Sequence, residues 1–338
     1  RATMWQISAV LIAFLSACDL ASDPLWGRRL IWTIALTAIS ISAYGLLQKA
    51  ALVPALAYRI YADSVFATYD YHGNAGAYLN LGIPAVFAIA LTVRKQKWLA
   101  WTGLFICLAA AMANVSRAAM AITFILMILL FACSRQATNL RRIFIGILIA
   151  LIIATLAGGG AAWRRWGTLS SQETLNNPRL LMFRAASHMA ADAGLLGYGP
   201  GSFKLIYFNS PYLPRELFPR WRVAPYQIGQ ETSIDSYVHD DYLQFIIEWG
   251  FLGAALWACL LAGAIANGIR VISNAADPVM IFIPLIALTG VLTHALVDWP
   301  LQVASLQLEV AAYLAILISH NRNSPRPPRL EVATATER

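Results

Sequence analysis

The sequence predicts an all-α polytopic membrane protein, a multispan helical bundle, on three observations. Mean hydropathy is +0.60, and 59% apolar against 12% charged residues is a balance foreign to soluble domains. Several mostly apolar runs reach 16 to 21 residues, enough to cross a hydrocarbon core about 30 Å thick. Basic residues recur in alternate connections between those runs, as the positive-inside rule requires of a multispan chain.

Taken in order, nine spans are expected near 4–20, 30–47, 75–93, 98–113, 118–133, 143–160, 249–269, 279–297 and 303–319. The chain opens on Arg1 and enters an apolar run almost at once. Further spans are therefore expected upstream, and no charged leader with a small-residue cleavage site is visible. Alternate connections hold thirteen basic residues: Arg28, Arg29; Arg94, Lys95, Lys97; Arg135, Arg141, Arg142; Arg270; and Arg322, Arg326, Arg329, Arg338 in the tail. The short connections on the other side hold Lys49, Arg59 and Arg117. That asymmetry places the thirteen in the cytoplasm and makes most of the +8 net charge a matter of topology. No nucleic-acid partner is expected; membrane lipid is.

The organisation is then six spans with short loops over 1–160, a long outer loop over 161–248, three spans over 249–319, and a disordered Pro-rich tail over 320–338. A loop of that length within a compact bundle is functional or disordered, and its tryptophans, tyrosines and apolar helical stretch argue for order. It contains AAWRRW (161–166), which reads as an interfacial anchor, Trp163 and Trp166 beside Arg164 and Arg165. A helical pattern follows over 178–196, with Arg184 and His188 four apart. Next comes GYGPGSF, with Gly197, Gly199 and Gly201 at every second position. It follows a helix, not a strand, and lacks the GxGxxG spacing, so a tight turn is expected rather than a dinucleotide fingerprint.

The chemistry concentrates in YVHDDYLQFIIEWGFLG (237–253), where His239, Asp240 and Asp241 run directly into an apolar segment. A helix from about Ser236 would put Asp240, Gln244 and Glu248 on one face, with Tyr242, Phe245, Ile246 and Trp249 on others. A lone histidine is more often structural than catalytic. This one lies at a helix start, which favours neutral imidazole, beside two carboxylates, which favour the charged form; so balanced, it suits a general base.

Other polar residues gather on the same outer side. Arg117, in SRAAM, reads equally as a snorkelling arginine or as a ligand for phosphate oxygens. Arg184 is a second arginine of that kind. Tyr71, His72 and Asn74 precede the third span and suit either sugar binding or a helix cap. His294 and Asp298, four apart, read as a hydrogen-bonded pair that locks a helix end. Cys18, Cys107, Cys133 and Cys259 have no CxxC spacing and read as small buried hydrophobes. No HExxH or paired Cys/His spacing occurs, so the sequence calls for no metal and no cofactor. A transporter would place ionisable residues at midspan, where Glu309 is the main example here, and would show repeated halves, which are not visible.

RAASHMAADAGLLGYGPGSF, VHDDYLQFIIEWGFLG, SRAAM and HALVDWPLQ together resemble the O-antigen ligase and polymerase superfamily over roughly residues 70–318. The resemblance implies a GT-C-like glycosyltransferase of the bacterial inner membrane with its site facing the periplasm. Such an enzyme works without metal and passes a glycan from undecaprenyl diphosphate to a hydroxyl. The implied acceptor is lipid A–core for a ligase, another lipid-linked repeat for a polymerase, or a protein Ser or Thr for an oligosaccharyltransferase. By motif, His239 would be the base, and Arg117 and Arg184 would hold the diphosphate. Asp240, Tyr242, Gln244, Gly199, Gly201, His72 and Asn74 would line the substrates. Asp240 stands where the family more often has Asn, which leaves the base in place and bears on its pKa.

Overall fold

A computed structural model describes residues 2–54, 65–93, 95–133, 178–207, 210–212, 237–275 and 277–319. The protein is an all-α polytopic membrane bundle. Its principal helices are α1 (Ala2–Ala21), α2 (Pro24–Lys49), α3 (His72–Thr92), α4 (Lys97–Ala113), α5 (Arg117–Cys133), α6 (Pro178–Asp192), α7 (Asp241–Val271), α8 (Val279–His294) and α9 (Ala304–Ser319). Eight of the nine expected spans coincide with helices; the sixth, like Trp163–Trp166 and the tail, lies outside the described residues. Four helices are long and apolar enough to cross a membrane: Thr3–Ala21, Pro24–Lys49, His72–Thr92 and Asp241–Val271. Four shorter apolar helices complete the set of eight.

The hub is α3, buried along almost its whole length and packed on α2, α4, α5 and α8. Its small residues allow that close approach. A Cβ on Gly82 would lie 2.3 Å from the Cβ of Ala38 on α2, the small-on-small contact that membrane helices favour. A polar staple crosses to α5: the Thr123 hydroxyl donates to Asn80 Oδ1 at 2.6 Å, and Asn80 Nδ2 donates to the Ala119 carbonyl at 3.2 Å. At the outer surface of the bundle, Trp5, Leu36, Phe124, Ile128 and Leu256 stand exposed. Such a surface is costly in water and suits lipid. Cys133 and Cys259 share it and only Cys107 is buried, so the expectation of buried cysteines holds for one of the four.

The helical pattern expected over 178–196 forms α6, which ends at Asp192. Its Met182, Ala185, Ala186 and Met189 join Val238 and Ile247 in a second, smaller core against α7. That packing fixes part of the long loop against the start of the seventh span.

Candidate functional site

The helix beginning in the 237–253 stretch starts at Asp241, not near Ser236. Asp240 is its N-cap, in extended backbone, and accepts the Leu243 N–H. His239 precedes the cap with φ 60°, a left-handed backbone that non-glycine residues seldom adopt. This turn carries its ring inward, and the residue is 2% exposed.

There the imidazole meets a carboxylate from another part of the chain. His239 Nδ1 lies 2.9 Å from Asp298 Oδ1, both side chains buried. Burial alone would raise the Asp298 carboxyl. The hydrogen bond and charge of His239, with the charges of His294 and Arg179, outweigh it and hold that carboxyl below its usual range. A carboxylate at Nδ1 fixes the proton there and makes Nε2 the basic nitrogen.

Two expectations change as a result. His294 and Asp298 were to lock a helix end by a hydrogen bond, but His294 Nε2 stands 3.9 Å from Asp298 Oδ2, too far for one. The carboxylates expected beside His239 are also directed elsewhere. Asp241 accepts the Leu301 N–H at 2.7 Å and Gln302 Nε2 at 3.2 Å, tying the start of α7 to the turn before α9. Asp240 caps its helix, and burial raises its carboxyl despite those backbone bonds.

Aromatic rings wall the pair. Trp299 is sandwiched between Tyr237, at 4.0 Å, and Tyr71, at 5.7 Å, all nearly parallel. Tyr71 and Trp299 each present an edge to His239 at 5.9 and 6.5 Å. Arg179, unremarked in the sequence, reaches in from the start of α6; its Nη2 donates to the Tyr71 hydroxyl at 2.7 Å and its Nη1 to the Val297 carbonyl at 3.3 Å. Only its position one residue after the helix-opening Pro178 could have marked it.

The other residues anticipated from sequence fall into three groups. Arg117 opens α5, half-buried, and the turn before it is fixed to α3 by Asn114 Nδ2 donating to the His72 carbonyl at 2.7 Å. Arg117, His72, Asn74 and His239 thus share one end of the bundle, where α3, α5, α7 and α9 all begin. At that same end α2, α4 and α8 finish, so the helix dipoles offset one another and positive charge there comes from the arginine side chains. Arg184 lies on α6 about 7.5 Å beyond Arg179 along the axis and is exposed. Tyr242 is exposed and donates to the Leu292 carbonyl at 2.8 Å.

Gln244, Gly199 and Gly201 form a different assembly. Gln244 is buried, accepts the Val238 N–H at 3.2 Å and donates to Glu248 at 3.0 Å, so this part of the predicted polar stripe exists. Glu248 in turn accepts the Gly201 N–H at 2.8 Å and the Phe203 N–H at 3.4 Å. All three glycines of the turn have positive φ, as a tight turn requires. The turn docks where α7 breaks at Gly250 (φ 67°, ψ 178°): Tyr198 and Gly199 donate to Ile247 and Glu248, while Phe251 and Leu252 donate back to Gly194 and Leu195. The turn therefore supplies the backbone partners that the broken helix lacks.

A cavity of about 710 Å³ opens beside the ring wall, between α2, α3 and the start of α9. Asn74 lines it with Tyr71, Trp299 and Tyr237. Among the described residues no group of three or more His, Cys, Asp or Glu has a metal-holding arrangement.

The family model for O-antigen ligase matches residues 102–258. This region is O-antigen ligase-like. The ligase-like region contains Arg117, Arg184 and His239, whereas Tyr71, Asp298 and Trp299, which complete the surroundings of His239, lie on either side of it. The motif resemblance is thus supported over the centre of the stretch it covers. No curated protein matches the chain.

Proposed function

We propose that this protein is an O-antigen ligase-type glycosyltransferase. It moves a glycan from undecaprenyl diphosphate to a hydroxyl of lipid A–core, at the periplasmic face of the bacterial inner membrane. The buried His239–Asp298 pair carries this reading. Asp298 holds the proton on Nδ1, and His239 Nε2 takes the proton of the acceptor hydroxyl as its oxygen bonds to the anomeric carbon of the donor. The bond from that carbon to the diphosphate oxygen breaks, and its electron pair leaves with the diphosphate. Arg117 and Arg184 stabilise the charge that develops there, an electrostatic role that needs no metal. The proton left on His239 then passes to solvent or to the departing diphosphate.

The arrangement offers less to a transporter, because its described histidines, with Arg117, Arg179 and Arg184, gather at one end of the bundle and not midway along it. A polymerase or protein oligosaccharyltransferase would use the same base with another acceptor. A gene deletion separates the three by gel. Loss of a ligase leaves bare core with polymer retained on its lipid carrier. Loss of a polymerase leaves core with a single repeat, and loss of an oligosaccharyltransferase leaves lipopolysaccharide intact and proteins unglycosylated. Intact glycans with a solute-uptake defect would overturn the transferase reading.

A further inference from the structure

We propose that the cavity between α2, α3 and α9 is a carbohydrate subsite that holds the acceptor sugar and selects it; this rests on the transferase reading above. Its volume, about 710 Å³, falls within the roughly 300–1,000 Å³ of small-molecule sites. The wall nearest the base is the Tyr71–Trp299–Tyr237 stack, and two of those rings touch His239 edge-on. His239 is not itself among the described lining residues, so a sugar seated against this wall would lie beside the rings that border the base.

The polar groups fit a sugar. Asn74 and Trp299, both more than nine-tenths buried, line the cavity. Asn74 Oδ1 and Trp299 Nε1 make no hydrogen bond among the described residues. One accepts and the other donates, the two capacities that a ring of hydroxyls satisfies. Deeper in, Tyr78 lies against Thr37 and the buried Glu309, and Ser305 bonds Tyr69 at 3.0 Å. A buried glutamate on a membrane helix is a functional candidate by default, and here it fixes a tyrosine on the cavity wall.

The charge excludes the other substrate group. Among the described lining residues are one aspartate, Asp70, one lysine, Lys204, and no arginine. A diphosphate would want guanidinium forks, and Arg117, Arg179 and Arg184 are not in this wall. The cavity therefore suits a neutral, hydroxyl-rich ring.

Full-length protein in lipid nanodiscs, assayed for transfer with lipid-linked donor and delipidated core oligosaccharide as acceptor, tests this. Asn74→Ala and Tyr78→Phe should each raise the acceptor KM about tenfold, the loss of one hydrogen bond to a buried group, with donor KM unchanged. Ala304→Trp, an exposed lining position at the start of α9, should block the mouth and abolish core-oligosaccharide binding by calorimetry while the melting temperature holds. That third variant decides the matter if the first two fail to fold. Unchanged acceptor KM and retained binding in Ala304→Trp would overturn the subsite. A rise confined to donor KM would overturn the acceptor assignment, the sugar then being the donor's. Wild-type protein that transfers nothing in this assay would instead count against the transferase reading itself.

Discussion

Asp298 Oδ1 sits 2.9 Å from His239 Nδ1, although 59 residues separate the two in sequence. The bond sets which imidazole nitrogen carries the proton. Asp298→Asn keeps the shape but can offer its amide nitrogen to Nδ1, which favours the proton on Nε2, the wrong tautomer for a base. Transfer should fall by roughly 10²–10⁴-fold in kcat, with KM for both substrates little changed. His239→Ala should be at least as damaging. A variant with near-normal kcat and unaltered pH profile would show that Asp298 serves packing alone.

The same pair gives a pH dependence. The Asp298 carboxyl is held below its usual range by His239 and its neighbours. Its stabilising contribution is therefore fully present above the ordinary aspartate pKa, about 3.9, and lost as pH falls through the lower, folded value. Thermal melts should show wild type losing its advantage over Asp298→Asn only at strongly acid pH. An advantage that vanishes between pH 6 and 8 would contradict this.

Gly250 breaks α7 with φ 67°, and a Cβ there would lie 2.2 Å from the Leu195 carbonyl oxygen. Gly197 faces it, its own Cβ position 2.4 Å from Gly250 N. Either Gly→Ala variant meets left-handed strain of about 1–2 kcal/mol together with a backbone clash that cannot relax by rotamer change. Both should lower the melting temperature and loosen the Gly197–Phe203 segment, seen as faster amide exchange at Gly199 and Gly201. Gly263, with nothing within 4 Å of its Cβ position, is the control and should tolerate alanine.

The spans were legible because apolar runs and basic connections are local properties of sequence. His239 was legible for the same reason, standing out at the head of a span. Its partner was not. Asp298 looked paired to His294 by helical spacing, but α8 ends at His294, so Asp298 lies past it and its carboxylate turns to His239. Arg179 was hidden similarly, since its value comes from Tyr71, which lies more than a hundred residues away. The helix start was misplaced because the left-handed turn at His239 has no composition signal, the residue not being glycine.

The diphosphate leaving group proposed above would need positive potential, which a divalent metal or the protein itself can supply. Here Arg117 opens α5 at the end of the bundle where α3, α7 and α9 also begin. Removing an electrostatic stabiliser of a leaving group typically costs about 10²–10³-fold in kcat, and Arg117→Ala should fall in that range. Arg117→Lys should recover little of it, because a single ammonium does not reproduce the two-pronged contact of guanidinium with phosphate oxygens. Chelation of divalent cations should leave the wild-type rate unchanged in the same purified assay. A strict divalent requirement, or an Arg117→Lys variant of full activity, would mean that the charge is neutralised by something other than this arginine.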